Sequence, residues 1–295
     1  MSVPTRGTAR WLREAGIRPR KAWGQNFLVN PRVAGRLVEG WALEPGAAVC
    51  EIGAGAGSLT LPLLMRGARV VAVERDPALA DLLQRRARSE CAAGELHVLA
   101  ADILELDLPE IVGRIPEARA WFLTGNLPYA ITTPILEWTG RHRERFVWAS
   151  FMVQREYGER LIAAPGSRAY GSLSVWAAYR FAVRREHSVG PANFWPRPKV
   201  ESVVLRLVPH PRPPVEVPGE AALERVVRAA FGQRRKVIGG ALAHGLGLPR
   251  ERVERALGEA GIGPRRRAEE CGLAQFAALA RALAAEPHAT TPEAC

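Results

Sequence analysis

The sequence predicts a doubly wound α/β domain with a mostly parallel sheet, followed by a small all-helical domain. Short β-branched runs alternate with helical periodicity from residue 48 to about residue 153. A glycine-rich turn separates the first of these strands from the helix after it, and beyond residue 208 a proline cluster gives way to helical periodicity alone. The length of 295 residues suggests two domains at roughly 150 residues each. With 47% hydrophobic and 24% charged residues, the chain can bury a core, which excludes wholesale disorder.

Taken in order, Asn30-Pro31 supplies an N-cap and a proline at the first helical position, and Arg32, Val33, Leu37, Val38 and Trp41 keep helical spacing over 32–42. Ala48 to Ile52 reads as a buried strand, Gly53 to Gly57 as a loop, and Leu59 to Met65 as a helix. Arg69 to Val73 forms a second strand ending at Glu74, and Asp76-Pro77 starts a helix running to about Arg88. Leu96 to Leu99 makes a third strand ending at Asp102. Ala120 to Leu123, ending at Asn126, and Phe146 to Val153 continue the alternation, and Val200 to Val208 closes the domain. Prolines 209, 211, 213, 214 and 218 mark the boundary, and helices follow over 221–231, 237–243, 250–260 and 273–284.

No apolar run approaches the roughly 18 residues of a membrane span. The basic N-terminus lacks the apolar stretch of a secretory signal, so a cytoplasmic location is expected. Cys50, Cys91, Cys271 and Cys295 form no C-x-x-C pair, which argues against a zinc knuckle or a disulfide scaffold, and no metal is expected. The formal charge of +11 points to a polyanionic partner. Arginine dominates, with Lys21, Lys199 and Lys236 the only lysines among 41 basic residues, a skew that GC-rich coding also produces. The charge is nevertheless localised. Arg6, Arg10, Arg13, Arg18, Arg20, Lys21, Arg32 and Arg36 face only Glu14 and Glu39 in the first forty residues.

Glu51-Ile-Gly-Ala-Gly-Ala-Gly57 stands between strand and helix, where Gly53 and Gly55 let a ligand approach the backbone. Glu74 ends the next strand, 21 residues after Gly53, where a carboxylate can accept from both ribose hydroxyls, and Asp102 repeats the arrangement one strand on. The spacing is G-x-G-x-G with Ser58 where a dinucleotide fingerprint has glycine or alanine, which weakens NAD, and no G-K-[ST] marks a P-loop. S-adenosylmethionine fits, having ribose and adenine but no phosphate. Gly125-Asn-Leu-Pro-Tyr129 then follows a strand at the carboxyl edge of the sheet. The Asn126 side-chain oxygen and a backbone carbonyl beside Pro128, in the Leu127-Pro128 step, can accept the two N–H bonds of an exocyclic amine while Tyr129 stacks on the base.

N-L-P-Y after E-I-G-x-G-x-G resembles the ribosomal RNA adenine N6-dimethyltransferases, in the type that modifies two adjacent adenosines near the 3′ end of small-subunit (16S) RNA. The resemblance runs almost end to end. It implies a Rossmann-like class I methyltransferase domain and S-adenosylmethionine as cofactor. In Lys21 to Leu28 it places Asn26 and Leu28 on the cofactor, with Gly53, Glu74, Asp102 and Asn126 at its other cofactor positions. Tyr170 to Val175 and Asn193 to Val200 are similar to further blocks, and Phe194 would stack on the target adenine opposite Tyr129. Phe231 to Lys236 and Arg266 to Cys271 resemble blocks of the family's helical domain, which puts Arg234, Arg235 and Lys236, with Lys21, on RNA. Ala54 replaces a usual proline, and Ala101 stands where glycine commonly precedes the aspartate.

The expected layout is a basic arm over 1–25, the methyltransferase domain over 26–210, an RNA- and ribosome-contacting helical domain over 211–285 and a tail over 286–295. The implied partner is small-subunit rRNA within an immature small ribosomal subunit, with no obligate protein partner and no membrane. Two rivals share these motifs: a large-subunit rRNA adenine methylase conferring antibiotic resistance, and a non-catalytic ribosome-assembly or transcription factor on the same fold. Tyr129 with the Tyr170 to Ser174 block favours the small-subunit enzyme over the first, and intact Glu74, Asn126 and Tyr129 argue against the second.

Overall fold

The apolar runs of the first domain become strands covered on both faces, as parallel strands must be. The computed structural model describes residues 8–20, 23–233 and 236–285. The strands are β1 (Phe27–Leu28), β2 (Ala48–Ile52), β3 (Arg69–Glu74), β4 (Leu96–Ala100), β5 (Trp121–Asn126), β6 (Phe146–Gln154), β7 (Phe181–Val189), β8 (Phe194–Trp195) and β9 (Ser202–Pro209). Seven form one sheet in the order β4-β3-β2-β5-β6-β9-β7, while β1 and β8 pair separately and antiparallel. From β4 to β6 all pairings are parallel, and β9 runs antiparallel to β6. Every residue of β2 is buried.

The chain winds outward from β2 to β4 and then returns to place β5 on the other side of β2. Successive connections therefore diverge at the carboxyl ends of β2 and β5, opening the crevice where open α/β sheets bind ligands. The capping signals operate as their residue types require. Asn30 Oδ1 accepts from the amides of Arg32 and Val33 at the start of Pro31–Gly40, and Asp76 Oδ1 accepts from Ala78 at the start of Pro77–Arg86.

Two compact units emerge. One holds the described residues up to 158 together with 184–209, and the other holds 159–183 with those from 210 onward. Residues 159–183 thus group with the C-terminal helices, not with the methyltransferase domain to which the boundary at 210 assigned them. The reason is local packing within the second unit. Tyr170 and Val175 lie in one core with Leu223, Leu242, Val253 and Phe276, and the Tyr170 hydroxyl donates to the Cys271 carbonyl at 2.9 Å. Arg180, 7% exposed, pairs with Glu220 and Glu224.

The described residues of the basic arm expected over 1–25 include a helix. Thr8–Glu14 is a helix whose Leu12 is fully buried against Phe27, Ala56, Leu79 and Leu82. Arg10 pairs with Glu14, and Arg20 lies 3.5 Å from Asp76. Several of the charges that pointed to a polyanion are therefore engaged within the protein, while Arg6 and Lys21 lie outside the described residues.

Candidate cofactor and base-binding site

One cleft collects the carboxyl ends of four parallel strands. It is lined by Ile52, Gly53 and Gly55 after β2, Val73, Glu74 and Arg75 at β3, Ala101 to Ile103 after β4, and Asn126 to Tyr129 after β5. Gly53, Gly55 and Gly57 have φ of 71°, 56° and 84°, the left-handed region that glycine enters without penalty. At Gly55 the bare Cα also makes room for Phe27, whose ring would lie 3.2 Å from an added Cβ.

Glu74 is 6% exposed, and each carboxylate oxygen already accepts a backbone N–H, from Gly55 at 2.7 Å and from Asp76 at 2.8 Å. Burial pushes its pKa up, while those amide bonds pull it down. A carboxylate oxygen accepts more than one hydrogen bond, so the Glu74 oxygens can still take the two hydroxyls of a ribose. Asp102 accepts from the Leu104 amide at 3.0 Å and lies 3.3 Å from Arg75 Nε. A lining of glycine backbone, apolar side chains and two carboxylates fits the neutral, diol-bearing nucleoside of S-adenosylmethionine. Among the described residues, no group of three or more His, Cys, Asp or Glu could hold a metal ion.

Glu51, beneath the loop, is 2% exposed and 2.5 Å from Thr60 Oγ1, and burial pushes its pKa up to about 8. Between the ordinary value of 4.5 and about 8, the unfolded chain has lost this proton and the folded chain keeps it. Its contribution to stability is therefore complete below pH 4.5 and fades as pH rises through that window. Glu51→Gln should show a smaller decline, its melting temperature gaining on the wild type as pH rises. Parallel melting curves at a series of pH values check this, and curves that stay equidistant would remove the burial argument.

Asn126 Nδ2 donates to the Asn26 carbonyl at 2.6 Å, an arrangement possible only with the amide nitrogen toward that carbonyl, which leaves Oδ1 as an acceptor. Of the two carbonyls flanking the Leu127-Pro128 bond, that of Pro128 is taken by Ile131 N–H and Thr132 Oγ1, whereas that of Leu127 accepts none from the described residues. Tyr129 reaches Ser202 Oγ at 3.1 Å. Two acceptors and one aromatic ring thus stand on a single turn, able to take both N–H bonds of an exocyclic amine and one face of its base. The turn depends on Gly125, where an added Cβ would collide with the Ile52 carbonyl oxygen. Gly125→Ala should cost about 1–3 kcal/mol, as overpacking does, and lower the melting temperature. An unchanged melt would show that β2 and β5 separate freely there.

Gly53, Gly55, Glu74, Asp102, Asn26 and Asn126 therefore meet in the cleft with Leu127, Pro128 and Tyr129. Two expected members do not. Leu28 is 1% exposed and Phe194 4%, and the two are cross-strand partners in the β1–β8 ribbon and lie in one apolar core. Adjacent strand residues face opposite ways, so burying Leu28 turns Phe27 to the cleft instead. Phe194 packs in that apolar core and is not part of the cleft lining. Sequence reasoning missed Phe27, Trp23 and Arg75, which also line the cleft. The guanidinium carbons of Arg20 and Arg75 lie 4.3 Å and 5.2 Å from the centre of the Trp23 ring, and no sequence pattern predicts such a stack. Lys21, Arg234 and Arg235 lie outside the described residues, and Lys236 is exposed.

A doubly wound sheet with a glycine loop and ribose-spaced carboxylates at its switch point, and paired acceptors on the adjoining strand end, defines a class I methyltransferase. The sequence model of the family described as ribosomal RNA adenine dimethylase matches residues 16–285, and the chain belongs to that family. It is 42% identical over 275 residues to the ribosomal RNA small subunit methyltransferase A of Geobacter metallireducens, covering 93% of this chain and 98% of that one. The protein of the same name from Moorella thermoacetica is 41% identical, with 96% and 99% covered. Among solved structures, the 23S rRNA methyltransferase ErmE matches with a TM-score of 0.64 at 28% identity, over 88% of this chain and 99% of that one. A dimethyladenosine transferase from Plasmodium falciparum shares the fold, with a TM-score of 0.72 at 22% identity over 86% and 95%.

Proposed function

We propose that the protein dimethylates the exocyclic N6 of two adjacent adenosines near the 3′ end of small-subunit rRNA, during assembly of that subunit in the cytoplasm. The observation that carries this is the pair of acceptors, Asn126 Oδ1 and the Leu127 carbonyl, in the same cleft as the buried Glu74. S-adenosylmethionine, when bound by the glycine loop, Glu74 and Asp102, supplies an electrophilic methyl group on its sulfonium. The target nitrogen is a poor nucleophile because its lone pair is delocalised into the purine ring. Asn126 and Leu127, by accepting its two N–H bonds, hold the nitrogen where that lone pair is drawn back onto it. Tyr129 packs on the base, its ring held by the hydroxyl contact to Ser202.

An adenine N6 inside a stacked helix is out of reach, so the target bases must be unpaired and held by contacts elsewhere in the RNA. Lys21, Arg234, Arg235 and Lys236 are assigned to its phosphates. Each phosphate neutralised contributes roughly −0.7 to −0.9 to the log–log salt slope of binding. Replacing Arg234, Arg235 and Lys236 by glutamine should weaken binding to small-subunit particles and flatten that slope, and an unaltered slope would return these residues to a solvated surface.

The large-subunit reading has one observation in its favour, the ErmE likeness, but at 28% identity against 42% for the small-subunit relative. Mass spectrometry of both rRNAs from a deletion strain separates the two. Loss of dimethyladenosine from small-subunit RNA is expected, and loss from large-subunit RNA alone would overturn the proposal.

A further inference from the structure

Three of the five residues from Gly53 to Gly57 are glycines in the left-handed region, so this backbone gains little stiffness from its own side chains. Its order must be imposed from outside. Gly53 and Ala54 donate to the Val73 carbonyl from the sheet side, and Gly55 donates to Glu74. On the other side stands the helix Thr8–Glu14, all of which precedes the residues 16–285 matched by the family model. The fully buried Leu12 packs into the same cluster as Ala56 and Phe27. The Arg86 guanidinium donates to the Ala56 carbonyl, in the middle of the loop, and its carbon lies 4.9 Å from the centre of the Trp11 ring. Trp11 Nε1 is buried and finds no hydrogen-bond partner among the described residues, so the indole serves here by its face and its bulk. Ser58, just after the loop, donates to the Leu28 carbonyl at 2.6 Å.

We propose that the N-terminal helix and Arg86 form a clamp, Trp11 on Arg86 on the Ala56 carbonyl, that holds the glycine loop in its ligand-ready shape and thereby sets cofactor affinity. Arg86 and Trp11 are positioning residues, acting through the loop backbone. The proposal rests on the reading of this cleft as the cofactor site. It also reverses the expected role of the N-terminal segment, since residues 8–14 serve the cofactor and not RNA. Binding to a loop that must first be ordered is weakened by the ordering cost, and a clamp removes that cost beforehand.

The test uses the full chain with S-adenosylhomocysteine as probe, titrated by calorimetry, and amide exchange of peptides covering residues 53–58. Arg86→Met keeps the aliphatic stem and deletes the donor, while Trp11→Leu keeps apolar bulk and deletes the ring face. Each should raise Kd roughly fivefold or more, at the low end of coupling between distinct sites, and speed exchange in the loop. Arg86→Lys, which restores a donor, should recover part of the affinity. The salt slope of particle binding should stay at the wild-type value for both Arg86→Met and Trp11→Leu. Melting curves establish that the variants fold, and if one does not, the other carries the test. Unchanged Kd and loop exchange, with Glu74→Ala still weakening binding, would overturn the clamp alone. If Glu74→Ala also leaves Kd unchanged, the site reading fails, and the clamp with it.

Discussion

Asn126→Ala should lower the single-turnover methylation rate about a hundredfold or more, as removal of a transition-state hydrogen bond from a water-poor site does. The acceptor lost is Oδ1, and its value rises as the N6 lone pair localises and its hydrogens become more positive, so the effect falls on the chemical step. Cofactor affinity should fall far less than the rate, since Asn126 is one of several residues at the cofactor. The Asn126 bond to the Asn26 carbonyl is lost as well, so a modest drop in melting temperature is expected. Asn126→Asp separates these contributions. It retains acceptor oxygens but sets a carboxylate against the Asn26 carbonyl, and it should be both slow and less stable. Rapid-quench turnover with small-subunit particles is the measurement, and a near-normal rate for Asn126→Ala would remove this residue from the chemistry.

Glu74→Ala should weaken cofactor binding by roughly ten- to hundredfold, from the loss of hydrogen bonds to a charged acceptor. The structure adds a second contribution, because the Gly55 and Asp76 amides lose their shared partner. The glycine loop should therefore loosen even without ligand, visible as faster amide exchange over residues 53–58. Glu74→Gln offers a single acceptor oxygen where two backbone amides now donate, and its affinity should fall between those of the wild type and the alanine variant. A calorimetric Kd unchanged in the alanine variant would refute the ribose assignment.

Much of the site could be read from local sequence because its parts follow strand ends. Glu74, Asp102 and Asn126, which meet in the cleft, each stand at or just beyond the end of an apolar run, and parallel strands bring such ends to one edge. The capping residues Asn30 and Asp76 were equally legible, since they act on amides two or three residues away. β7 carries Arg184, Arg185, Glu186 and His187 and shows no apolar alternation, so nothing in its sequence marks it as a strand. It is one because it pairs at the outer edge of the sheet.

By itself, then, the sequence determined the alternation of strands and helices, the glycine loop, the carboxylates at the strand ends, the asparagine turn and the separate helical segment, because each depends on neighbours close along the chain. Tertiary structure decided the rest. The pairing of β1 with β8 buried Leu28 with Phe194 and turned Phe27 to the cofactor side, a choice between two faces that a two-residue strand cannot encode alone. Arg75 stacked on Trp23, and Arg86 reached the Ala56 carbonyl beneath Trp11, through contacts between residues far apart in sequence. Of the arginines that looked like a free basic arm, Arg10 pairs with Glu14 on the helix anchored by the buried Leu12, and Arg20, beyond that helix, lies near Asp76 and over the Trp23 ring. Composition records how many charges a chain carries, whereas only packing settles which of them remain free to meet RNA.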